Sequence, residues 1–359
     1  MKTMNYQLQL KKLLEIAIEK NASDLHISVG HPPTLRITRN LMRVEEEKII
    51  TAKDSEGLAF VLMDEQQKEK FLREKEIDFA FDFNNLARFR VNIFFQRRVI
   101  SIALRFIPSK IRTIEELNLP LVLHKFTEAT QGFVLITGAS SQGKSTTLAS
   151  LIDEINHQRK EHIITIEDPV EYIFHDDKSI IDQREVYHDT LSFPRALRSA
   201  LREDPDVIMV GELRDLETIA TAITAAETGH LVFATLHTNS ASQTIHRIVD
   251  VFPSFQQNQI RAQVSGSLLG VVSQRLVPRI GNGFIPACEV MISNSAIDNL
   301  IRENKIHEMP SVIETSRKDG MISLNQSLAE LVEKKEVAKE TALRYSLNPQ
   351  ELSGRFKRT

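Results

Sequence analysis

The chain has 359 residues, is 42% apolar and carries a formal charge of −3 from 45 basic and 48 acidic side chains. That length suits about two globular domains, and no global positive field exists to gather nucleic acid or anionic lipid. The single cysteine, Cys288, excludes an internal disulfide and any zinc site built on two or more thiolates, and it fits a reducing cytosol.

The opening "MKTMNYQLQLKKLLEIAIEK" lacks the apolar core and cleavage site of an export signal. No stretch approaches the roughly 20 apolar residues of a membrane span, so a cytoplasmic protein is expected. Within residues 5–20, Leu10, Leu13, Leu14, Ala17 and Ile18 recur at the spacing of a helix with one buried face. Between 24 and 106, alternating runs such as "IDFAFDF" and "RFRVNIFF" predict an antiparallel sheet. Helices are expected near "DSEGLAFVLM" and "DEQQKEKFLRE", giving an α+β domain over 1–106. The stretch 107–120 has prolines near both ends and reads as a linker. Over 121–291 the runs "FVLITG", "HIITIED", "DVIMVGE" and "LVFATLH" alternate with helical segments, the pattern of a parallel sheet buried on both faces. From 292 to 359 only helical patterns remain, in a small C-terminal region.

"GASSQGKST" follows the first of these strands and opens a helix. Gly138, Gly143, Lys144 and Ser145 match G-x-x-x-x-G-K-[ST], whose backbone N–H groups wrap phosphate oxygens at a helix N-terminus. ATP is therefore the expected ligand, cradled by Gly138, Ser140, Ser141, Gln142 and Gly143. Lys144 would reach the β- and γ-phosphates and the Ser145 hydroxyl the Mg²⁺ shell, with Thr146 beside them. Glu167 and Asp168 end one strand before Pro169, and Glu212 ends another after Gly211. In an open α/β sheet the ligand crevice lies outside such strand ends, so the acids and the loop should converge. His230 and His237 flank a third strand; either senses the γ-phosphate or bridges subunits, or serves the structure alone, the last more so for His230.

These motifs together resemble the hexameric secretion ATPases of type IV pili and type II secretion. "ASDLHISVGHPPTLRI" resembles that family's PAS-like N-terminal entry, "IEDPVEY" its acidic box, and "DPDVIMVGELRD" and "GHLVFATLHTNSA" its Walker B segment and histidine box. The implied fold class is α/β, a PAS-like α+β domain followed by a RecA-like P-loop ATPase domain. The resemblance gives Glu167 the role of activating water and makes Glu212 the acid near Mg²⁺. It further implies that Arg90 and Arg105 reach a nucleotide, with Arg98 as helper, although the same residues also read as a solvated strand face.

The retraction type is favoured, because extension ATPases of the family carry a four-cysteine zinc site and a long N-terminal extension. "AIDNLIRE" resembles the retraction signature with Asp298 in place of an arginine. A homohexameric ring is implied, working at the inner face of the cytoplasmic membrane on a pilus platform protein, with an accessory retraction ATPase as a further partner and no nucleic acid. An accessory retraction or secretion ATPase of the same superfamily is one competing reading, and a nucleotide-responsive ring component with little hydrolysis is the other. It gains weight from Ser141, which replaces a glycine of the family's usual loop and, if φ is positive there, costs on the order of 1 kcal/mol.

Overall fold

The computed structural model describes residues 2–38, 40–83, 87–281 and 283–357. Two compact units emerge: Met1–Lys110 with Pro169–Ile173, and Ile111–Asp168 with Phe174–Thr359.

The first unit opens with α1 (Lys2–Glu19), followed by the short antiparallel strands β1 (Asp24–Ile27), β2 (Thr34–Ile37) and β3 (Asn40–Arg43). Helices α2 (Ala52–Leu62) and α3 (Glu65–Glu74) precede β4 (Glu76–Phe83), β5 (Ala87–Gln96) and β6 (Val99–Ile107). Both helices start on reciprocal capping boxes, Thr51 with Asp54 and Asp64 with Gln67, which satisfy backbone donors that no helical turn can reach. The sheet order is β3-β2-β1-β6-β5-β4. Alternation along β5 buries Phe89, Val91 and Ile93 in a core shared with Leu13, Leu14, Leu58 and Phe71 of the helices.

The opposite parity puts Arg90 directly across from Arg105, Arg105 across from Asp24, and Asp24 across from Arg36. Like charges so placed repel. Acids offset that here: Asp24 Oδ1 accepts from Arg105 Nε at 3.0 Å, and Asp78 Oδ2 accepts from Arg90 Nη2 at 2.6 Å. Arg90 also faces Glu171 at 3.5 Å, and Arg88 Nε donates to the Val170 carbonyl at 3.0 Å. These contacts tie Pro169–Ile173 to the unit, a tertiary link with no local sequence signal.

In the second unit, α4 (His124–Glu128) leads to β7 (Gly132–Thr137), α5 (Lys144–Gln158), β8 (His162–Glu167) and β9 (Ile180–Glu185). The chain continues through α6 (Phe193–Ala200), β10 (Val207–Val210), α7 (Leu216–Glu227), β11 (Leu231–Leu236), α8 (Ala241–Asp250) and α9 (Ser254–Ser267). A hairpin of β12 (Leu268–Pro278) and β13 (Phe284–Ile292) closes the sheet, ordered β13-β12-β7-β11-β10-β8-β9. All pairs are parallel except β12 with β13. Every residue of β7, β10 and β11 is buried, which is why those strands read as unbroken apolar runs. The C-terminal helices are α10 (Ser295–Arg302), α11 (Met309–Thr315), α12 (Leu324–Glu333), α13 (Lys339–Tyr345) and α14 (Pro349–Phe356). Leu324, Leu328, Ala342 and Leu352 from three of them pack with Val277 and Ile285 of the hairpin. Asp298 lies in the first turn of α10, which Asn294 caps, and accepts from Ser293 Oγ at 2.5 Å where a negative charge suits the helix dipole.

The stretch read as a linker is anchored. Ile114 is fully buried, and Thr113 and Glu116 exchange hydrogen bonds around a turn. His124 ties this turn to α5: Nδ1 lies 2.8 Å from Glu154 and Nε2 3.0 Å from Glu115. The Glu154 hydrogen bond raises the His124 pKa above its ordinary value; burial opposes this, and the Glu154 charge and Glu115 add to the rise. A histidine raised in the folded state contributes stability that is complete below its unfolded value, about 6.5, and is lost as pH climbs through the folded value. Melting temperature should therefore decline as pH rises from about 6.5, and His124→Gln should flatten that decline. A pH series of thermal melts on both proteins checks it, and an unchanged slope in the variant rejects the latch.

Candidate functional site

The 138–143 loop leaves β7 at its C-terminal end and runs into α5. Three residues take left-handed backbone: Gly138 at φ 146°, Ser141 at 61° and Gly143 at 83°. Such angles suit the glycines and are disfavoured for Ser141, so the condition attached to that residue in the sequence is met. A Cβ at Gly138 would stand 2.5 Å from the Gln274 carbonyl oxygen, so that glycine is also required by close approach.

Lys144 is 9% exposed, and its ammonium donates to the carbonyls of Gly138 at 2.8 Å and Ala139 at 3.0 Å. It also lies 3.3 Å from His237 Nδ1. The other ring nitrogen, Nε2, lies 3.3 Å from Glu212 Oε1. Because the ammonium is donor-only, Nδ1 accepts and Nε2–H points at the carboxylate, which fixes one tautomer. His237, just past the C-terminal end of β11, thus joins the loop cation to the Glu212 acid.

Glu212 stands two residues beyond β10 and also accepts from Arg214 Nη2 at 2.9 Å. Burial pushes its carboxyl upward, but the Arg214 hydrogen bond and charge, together with His237, outweigh this and hold it below the ordinary glutamate value. It is ionised at neutral pH. Arg214 reaches Asp168 at 3.7 Å as well, so it knits the ends of β8 and β10 together.

Glu167 ends β8 and is 7% exposed, its Oε1 accepting from Thr165 Oγ1 at 2.7 Å and from Gln183 Nε2 at 3.2 Å. Between the two acids Gly211 donates its N–H to the Ile166 carbonyl at 2.8 Å, and its own carbonyl accepts from Thr235 Oγ1 at 2.5 Å. A Cβ there would meet Ile166 O at 3.1 Å and Glu167 Cα at 3.4 Å. Ser145 is exposed in the first turn of α5, with half-buried Thr146 next to it.

The structure brings together the loop, Lys144, Glu212 and His237, and it sets Glu167 and Ser145 on the same side of the sheet, at strand and helix ends around the loop. It does not bring His230. That residue precedes β11, and parallel pairing of Leu231 with Gly132 through Leu236 with Thr137 puts it at the opposite strand end, about 20 Å from the loop. Its ring bonds the Ala225 carbonyl at 3.0 Å, which takes it away from the loop of its own chain and leaves the subunit-bridging and structural readings. Arg90 and Arg105 hold acidic partners within their own unit. Sequence reasoning missed Arg214, signalled by its place two residues after Glu212. It also missed Gln183 and Gln274, because the strands that carry them were not recognised.

The sequence family described as type II/IV secretion system protein matches residues 4–348. The chain belongs to this family. Among curated relatives of these secretion proteins, the type IV pilus retraction ATPase PilT of Pseudomonas aeruginosa is 46% identical over 335 residues, 93% of this chain and 97% of the relative. The type IV pilus ATPase PilU of the same organism is 39% identical, over 94% of this chain and 89% of its own length. Among solved structures, the pilus retraction motor PilT with bound ADP matches with a TM-score of 0.86 at 46% identity, covering 96% of this chain and 98% of that one. The likeness runs through both units and the helical C-terminal region, so the fold class expected from the sequence stands.

Proposed function

We propose that this chain is a Mg²⁺-dependent ATPase that drives retraction of a type IV pilus, and hence twitching motility, as a homohexameric ring at the cytoplasmic face of the inner membrane. The observation that carries the reading is the continuous contact from loop cation to acid, Lys144 to His237 to Glu212, in a chain similar end to end to a retraction motor solved with ADP. Loop amides and Lys144 bind the triphosphate. Mg²⁺ takes few protein ligands and keeps waters and phosphate oxygens. Ionised Glu212 and the exposed Ser145 hydroxyl offer the hard oxygens that would hold such an ion, which would supply charge neutralisation at the phosphates when bound.

Glu167 orients the attacking water and takes its proton. The water oxygen bonds to the γ-phosphorus while the bond to the β–γ bridging oxygen breaks, leaving ADP and phosphate. Arg90 and Arg105 are the candidates for completing a nucleotide site in the ring. Arg90 engages both Asp78 and Glu171 and would release one of them to do so, whereas Arg105 bonds Asp24 through Nε alone and keeps its terminal N–H groups for a phosphate. The inner-membrane platform protein is the proposed object of the motion.

Similarity to PilU favours one second reading, an accessory retraction ATPase. Deleting the gene and scoring surface pili and twitching separates the alternatives. Abundant pili without motility support the main retraction motor, intact motility supports the accessory role, and loss of pili rejects retraction. Steady-state phosphate release by the purified ring tests the chemistry itself, and its absence favours a ring component that binds nucleotide without turning it over.

A further inference from the structure

Strand β12 outruns its neighbour. Its parallel pairing with β7 ends where Ser273 faces Thr137; there β7 turns into the loop while β12 continues to Pro278, still paired with β13 on its other side. Backbone groups of β12 beyond Ser273 that face the departed strand need other partners, because buried peptide groups are almost never left unpaired.

Gln142 provides one of them. Its Oε1 accepts from the Leu276 N–H at 2.7 Å, so a loop side chain continues the ladder that β7 abandons. The Gln142 carbonyl in turn accepts from Gln274 Nε2 at 2.8 Å, and Gln274 Oε1 accepts from Thr147 Oγ1 of α5 at 2.7 Å. Gln274 is 3% exposed and its bond to Thr147 is buried, while the two bonds to Gln142 are half-buried. Gln142 is thus pinned through both side chain and backbone, immediately after Ser141 and its left-handed φ of 61°. A strained backbone persists only where its surroundings over-determine it.

We propose that Gln142 is a positioning residue: clamped to β12, it holds Ser141 in the left-handed conformation that keeps the loop amides aimed at phosphate, a task that glycine at 141 would make unnecessary. This rests on the loop binding nucleotide. Residues 141 and 142 are then energetically coupled, and the coupling appears in affinity and not in folded yield alone.

The test is a double-mutant cycle in the full-length protein with Gln142→Met, Ser141→Gly and the combination, titrating ADP by calorimetry. Methionine keeps the length and removes the acceptor. With Ser141 present, Gln142→Met should weaken ADP about tenfold, the scale of one unsatisfied buried donor. With glycine at 141 the loss should shrink to about twofold or less. KM for ATP should follow the same pattern while kcat stays within about twofold, since Glu167 and Glu212 are untouched. Equal losses in both backgrounds overturn the proposal. Amide exchange at Leu276 in the unmodified protein gives an independent reading should the methionine variant fail to fold. Protection is expected, and exchange at the open-chain rate overturns the clamp. If the unmodified protein takes up no ADP, the ATPase reading falls and only the Leu276 measurement bears on the clamp.

Discussion

Glu167→Gln should cut steady-state phosphate release by about 10²- to 10⁴-fold, the range for removing a general base, while ADP affinity stays within about threefold. The substitution keeps volume and planarity at a position that is 7% exposed. The remaining amide oxygen still accepts from Thr165, so the side chain stays where it is. What disappears is the ability to take a proton from water. A loss of binding as large as the loss of turnover would reveal a structural role, and a variant with more than half of the original rate would remove Glu167 from the chemistry altogether.

Lys144→Met is the second large effect. Methionine preserves most of the stem, yet the ammonium that now engages the Gly138 and Ala139 carbonyls and His237 is gone. A triphosphate entering the loop would lose its one buried cationic partner on α5. Hydrogen bonds between charged groups contribute about 1.5–3 kcal/mol each, so losing one or two weakens ATP by about 10²-fold or more. Calorimetric titration of ATP reads this directly, with circular dichroism as the check that the chain remains folded. Affinity within a factor of about three of the original would mean that the loop amides suffice and that Lys144 serves elsewhere.

The parts that were legible in the sequence are those where one physical demand dominates. Strands β7, β8, β10 and β11 are buried almost throughout and show as apolar runs. The acids that end two of them stand out because a carboxylate at the edge of such a run is costly without a purpose. Strand β9, "IIDQRE", is a polar edge strand whose pattern gives no signal, and with it Gln183 and its hold on Glu167 stayed hidden. Gln274 sits in the polar triplet Ser273, Gln274 and Arg275 that interrupts the apolar run of β12, and that break was the available hint. The attachment of Pro169–Ile173 to the N-terminal unit rests on contacts far apart along the chain, such as Arg88 with Val170, which periodicity does not encode. His230 and His237 look alike in the sequence. Only strand direction distinguishes the end that faces the loop from the end that does not.

Gly211 has a wider meaning than its size suggests. Held from β8 by the Ile166 carbonyl and from β11 by the Thr235 hydroxyl, it lies where even a methyl group would crowd the backbone under Glu167. The gap between the carboxylate assigned to water and the carboxylate assigned to the metal ion is thus a main-chain dimension. A side chain at 211 would ask the backbone of β8 to give by a few tenths of an ångström, so the separation of the two acids answers to the main chain as well as to their own rotamers.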